Sequence, residues 1–180
     1  VKSLRIEGIR FKIVLISFVV ALCIVFPAKY LGHRKLVVEP IYEAFSRIKG
    51  VKKVELTETD GKMKLVINLD DVEQLELVMQ QILDQVEHFQ RPMQLVITDQ
   101  ANQKLEHVYH QMHFAIEQGI TLGTFVEMAQ NIESIAQANQ ILSRVAVDRD
   151  YVYVQLQDGE HYLYQVISRN SEMLIGRLKG

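Results

Sequence analysis

Between Lys12 and Lys29 the chain passes through Ile13–Ala28 without a single charged residue. As a helix rising about 1.5 Å per residue, that run covers roughly 24 Å, against a hydrocarbon core of about 30 Å. Phe11, Tyr30 and Leu31 extend the apolar span, and the ammonium groups of Lys12 and Lys29 can reach outward along their own stems. Residues 13–31 are therefore expected to be a transmembrane anchor, with the lipid bilayer as first partner. The competing reading is a cleaved secretory signal, because Lys2, Arg5, Arg10 and Lys12 form a basic leader before the apolar run. Cleavage would follow Ala28, where bulky Phe26 occupies a position that wants a small side chain, so the uncleaved anchor is the expectation.

The basic residues before the span outnumber Lys29, Arg34 and Lys35 after it by about one charge. The domain is accordingly expected outside the cytoplasm. Val1 is what a literally translated GTG start would give, and with it a bacterial chain is expected. Cys23, the one cysteine, sits inside the apolar run, so no disulfide framework or cysteine metal site is available after it. A net charge of −2 leaves no overall basic footprint, and no nucleic-acid partner is expected.

After a basic connector, Pro40 suits a first helical position, and Ile41, Phe45 and Ile48 recur at helical spacing until Gly50. Val51, Val54 and Leu56 make an imperfect strand. Asp60-Gly61 offers a hairpin turn, and Met63, Leu65, Ile67 and Leu69 alternate cleanly. Asp70-Asp71 is placed to cap a second helix whose apolar stripe is Val72, Leu75, Val78, Met79, Ile82, Val86 and Phe89. Pro92 breaks the chain before a third strand at Met93, Leu95 and Ile97. A third helix is expected over about 102–118, interrupted by Gly119 and Gly123, and a fourth opens on the capping-box pair Thr124 and Glu127. From Arg144 the period changes to two, and segments near 144–147, 151–156, 161–167 and 172–178 suggest an antiparallel meander.

The expected fold class is α+β: an N-terminal transmembrane helix, an αββαβ sandwich, two further helices and a C-terminal antiparallel β-meander. The expected divisions are a basic segment 1–12, the anchor 13–31, a linker 32–39, an α/β domain 40–118, and a helix-plus-meander subdomain 119–180 that can share its core.

The order of elements from Ile41 to Ile97, with its Lys-Gly-Val-Lys-Lys-Val turn and Asp-Gly-Lys-Met-Lys hairpin arm, resembles two families of small α/β folds. One is the heavy-metal-associated domain, whose CxxC pattern is replaced here by Val37-Val38-Glu39-Pro40, so metal carriage is not implied. The other is the ring-building module of membrane-anchored subunits in sporulation and secretion complexes. That second resemblance implies an assembly role, with a membrane-complex protein or further copies of the chain as partners.

Three surfaces bear chemistry. Glu106, His110, His113 and Glu117 fall on one line of the third helix, where imidazole and carboxylate on successive turns could share zinc or a similar divalent ion. The plainer reading is a solvated face with Glu–His pairs, each worth about 0.2–0.5 kcal/mol. With Asp158-Gly159 as the loop, Gln155 faces Tyr162 and Tyr153 faces Tyr164, so Tyr151, Tyr153, Tyr162 and Tyr164 share one face, as a partner platform or as internal packing. Arg34, Lys35, Arg47, Lys49, Lys52 and Lys53 form a basic cluster, with interspersed glutamates favouring ordinary solvation. Ser46, Ser134 and Ser143 lack a nucleophile elbow, and phosphate-cradling glycine loops are missing. The expectation is a non-enzymatic, cofactor-free binding, scaffold or assembly protein, the alternative being a metal- or pH-sensing domain.

Overall fold

Glu39 and Pro40 open helix α1 (Glu39–Ser46), as suits a carboxylate at a helix's positive end and a residue without an amide donor. The computed structural model describes residues 39–59, 62–89, 93–170 and 175–179, together with 15 and 17–19. Most of the expected anchor 13–31, Arg34, Lys35, the Asp60-Gly61 turn and Pro92 lie outside the described residues. Among the described residues, no helix is long and apolar enough to cross a membrane. Residues 1–41 and 42–180 form separate compact units, and the second carries everything below.

That second unit is a mixed α+β structure with two sheets. Strand β1 (Val51–Thr59) pairs antiparallel with β2 (Lys62–Leu69). A register shift between Val51 and Lys53 accounts for the imperfect alternation, since one extra residue reverses which side chains face the core. Met63, Leu65, Ile67 and Leu69 are all buried, as period two requires. Helix α2 (Leu75–His88) then crosses to β3 (Met93–Asp99), which lies parallel to β2. Phe45 on α1 is buried, and its ring centre is 6.1 Å from that of Phe89 at the end of α2.

Helix α3 (Gln103–Leu122) runs through Gly119 and ends at Gly123, whose φ of 70° closes it. The expected break at Gly119 is thus absent. Gly119 is instead the point where α4 (Phe125–Ala138) comes closest, because a Cβ there would lie 2.5 Å from Met128 Cβ. The two helices pack on one face of a meander made by β4 (Leu142–Val147), β5 (Tyr151–Asp158) and β6 (His161–Ser168). Leu105, Val108, Met112 and Ile116 of α3 share one core cluster with Met128 and Ile132 of α4 and with Val152, Val154, Leu156 and Leu163 of the meander. That core draws on both sides of residue 119.

The last strand departs from expectation. Strand β7 (Gly176–Lys179) does not extend the meander but returns to lie parallel to β3, giving the order β1-β2-β3-β7. The reason lies in Arg177, which bonds Asp99 at the end of β3 and Glu106 on α3.

Candidate functional site

Two helix starts are expected to carry side-chain caps, and neither does. Gln74, not Asp70 or Asp71, is the N-cap of α2, and it makes no side-chain cap bond. The Leu75 amide is taken by Gln155 Oε1 at 3.4 Å, from β5. Gln155 also donates to the Val72 carbonyl at 2.5 Å, and the Tyr164 hydroxyl accepts the Val72 amide at 2.8 Å while donating to the Asp70 carbonyl at 3.1 Å. Tyr162 donates to the Leu69 carbonyl, Gln157 to the Asp71 carboxylate and Arg144 to the Glu73 carbonyl. The meander therefore holds the segment from Leu69 to Leu75 mainly by its backbone, supplying partners that a tight strand-to-helix turn cannot find locally. Thr124 likewise makes no side-chain cap bond at the start of α4.

This clasp accounts for the tyrosine face. Tyr151, Tyr153, Tyr162 and Tyr164 are all buried, so the face is covered by the chain itself and offers no exposed platform. The pairing is also displaced by two residues from expectation: Gln155 faces Tyr164 and Gln157 faces Tyr162. Gly159-Glu160 forms the loop, and its first position has the left-handed φ of 63° that glycine adopts without steric cost. An even displacement keeps every side chain on its expected face. Burial pushes the phenols of Tyr153, Tyr162 and Tyr164 above their ordinary range. Tyr153 donates to Asp148 Oδ2 at 2.6 Å, and Asp148 Oδ1 accepts the amides of Asp150 and Tyr151. Burial alone would raise the Asp148 carboxyl, but the bonds from Tyr153, Tyr151 and Asp150 outweigh it and hold that group below its usual range. Open clefts of about 460 and 550 Å³ flank the clasped segment and share Asp71, Val72 and Glu73 as walls.

The helical stripe is not assembled as one set. Arg177 draws Glu106 aside at 2.8 Å, while His110, His113 and Glu117 are exposed. Among the described residues, no group of three or more His, Cys, Asp or Glu side chains could hold a metal ion. In the basic cluster, Arg47 pairs with Glu43 and Lys53 with Glu55, all largely exposed. Ser134 donates to the Gln130 carbonyl one helical turn back.

What the stripe shares its face with is apolar. Phe114 is 82% exposed in the middle of the outer side of α3, and Leu122 and Val126, beside the turn joining α3 to α4, are 63% and 75% exposed. From Leu105 to Ser143 the chain has no Lys or Arg, only Glu106, Glu117, Glu127 and Glu133. Sequence periodicity passed over Phe114 because it lies off the apolar stripe; a large ring on the polar side of an amphipathic helix was the available signal. Comparison with protein-family models, with curated proteins and with solved structures returned no match.

Proposed function

We propose that this chain is a non-enzymatic, single-pass membrane-anchored binding protein, serving as scaffold or assembly subunit of a bacterial membrane complex. Its anchor is residues 13–31, and its domain stands outside the cytoplasm. The uncharged run and the one-charge excess before it support that address. The contact surface in this reading is the outer face of the α3–α4 hairpin, replacing the tyrosine face.

The observation that carries the reading is the exposure of Phe114 in the middle of that face. A ring left 82% in water gains nothing for folding, whereas an aromatic anchor at the centre of an interface is a common source of binding energy. The absence of Lys and Arg from 105–143 supports one kind of occupant, a protein surface with apolar side chains bordered by Lys or Arg. The metal alternative would require Glu106 to leave Arg177, and the stripe's exposed imidazoles serve the binding reading equally as rim groups.

A photo-crosslinking residue placed at 114, and in a separate chain at exposed Gln137, tests this in native membranes. A discrete adduct from position 114 alone, lost when Glu117→Lys and Glu127→Lys are added, is the expected result. Equal labelling from both positions, or an adduct indifferent to the charge reversal, would count against it.

A further inference from the structure

Asn102 is engaged at both ends of its side chain. As N-cap of α3 its Oδ1 accepts the Leu105 amide at 2.8 Å, and that bond turns Nδ2 toward the meander, where it donates to Asp158 Oδ2 at 3.0 Å. Lys104 Nζ donates to Asp158 Oδ1 at 2.9 Å. Both oxygens of one carboxylate are thus gripped from the start of α3. The bonds from Lys104 and Asn102 hold the Asp158 carboxyl below its ordinary range, and His161, paired with it across the turn, adds in the same direction. The group is therefore kept ionised.

The residue so gripped is followed by glycine. Asp158 closes β5, Gly159 opens the loop with φ of 63°, and a Cβ added there would meet nothing within 4 Å. Asp-Gly is the pairing in which a main-chain amide attacks the preceding carboxyl most readily, because glycine sets no Cβ in the way. In that reaction the Gly159 nitrogen bonds to Asp158 Cγ, the amide proton and the carboxyl hydroxyl leave together as water, and a five-membered imide forms. A second water then opens the ring at the Asp158 main-chain carbonyl, so that the chain runs on through the side chain as isoaspartate. The first step needs a neutral carboxyl that is free to turn toward the amide. Asn102 and Lys104 deny both conditions. We propose that Asp158-Gly159 is a modification site for isoaspartate formation, and that Asn102 and Lys104 are the guard that keeps it closed while the start of α3 and the β5–β6 hairpin stay together. Isoaspartate there adds one main-chain atom to the turn and moves the carboxylate out of the grip, making a passing separation of the two elements a lasting one. This inference does not depend on the α3–α4 surface.

Ageing the full-length chain in detergent micelles in mildly acidic buffer tests it, with isoaspartate at 158 distinguished from aspartate by electron-transfer fragmentation of the proteolytic peptide. Asn102→Ser keeps a capping oxygen for Leu105 but gives up the reach to Asp158, and Lys104→Ala removes the other bond. The double variant, with its near-ultraviolet circular dichroism intact, should accumulate isoaspartate about threefold faster than the folded parent or more, as should the parent unfolded in urea. A folded double variant no faster than the parent, or an unfolded parent no faster than the folded one, would overturn the inference. Should the double variant lose its dichroism, the Lys104→Ala chain decides, because that side chain is half-exposed and its loss leaves the cap in place. A rate about twofold above the parent's then supports the guard, and the parent's own rate overturns it.

Discussion

Tyr164 carries two jobs on one oxygen, accepting the Val72 amide and donating to the Asp70 carbonyl. Tyr164→Phe keeps the ring's packing but leaves a buried amide unpaired, and should cost about 1–3 kcal/mol in urea unfolding. The buried phenols set an alkaline limit. Burial pushes Tyr109 up to about 12 and raises Tyr153, Tyr162 and Tyr164 as well, so the folded state favours their neutral forms. Their contribution is fully present below pH 10, the ordinary tyrosine value, and is lost as pH rises beyond it. Ultraviolet titration should show these rings ionising only together with loss of structure. Asp148 acts at the other end: its depressed carboxyl contributes fully above its ordinary value of 3.8 and the contribution disappears as pH falls below that. The sequence showed that these tyrosines share a face, because alternation is local. It did not show what covers them, because Val72 and Asp70 lie some ninety residues away in the chain.

Among the elements, the α3–α4 hairpin is governed by one close approach. In an open helix, Gly119→Ala would stabilise by about 1 kcal/mol through helix propensity. Here the new methyl would meet Met128 Cβ at 2.5 Å, and the substitution should instead destabilise by about 1–3 kcal/mol, measured by denaturant unfolding. The sign of the change tests the contact. A glycine in a helical pattern reads as a breaker in sequence, since the partner that requires it, Met128, is legible only after the turn at Gly123 is known to fold the helices together. The element read most faithfully was β2, whose apolar residues keep one period throughout; α2 was found but begins only at Leu75, so Val72 of its expected stripe lies in the turn before it. β7 was misassigned because four residues hold too little pattern to choose a sheet; the choice rests on Arg177 and its acids.

For the whole molecule, the proposal joins a lipid anchor to a domain whose interior consumes one aromatic face and whose outside retains Phe114, Leu122 and Val126. If residues 13–31 are an anchor, alkaline carbonate washing should leave the full chain in the membrane pellet, and replacing Ile16 and Val20 with arginine should release it to the supernatant. The candidate surface was less legible than the fold: the helix bearing it was found, but its exposed ring was not singled out, because exposure depends on which neighbours pack where. Phe114→Ser offers the most direct measurement, with unfolding free energy and partner crosslinking read on the same preparation. An exposed contact residue should leave stability within about 0.5 kcal/mol of the parent while its crosslinked adduct, trapped from a photoreactive residue at neighbouring Gln118, disappears. Loss of more than about 2 kcal/mol, or an adduct that survives unchanged, would contradict the assignment of that face.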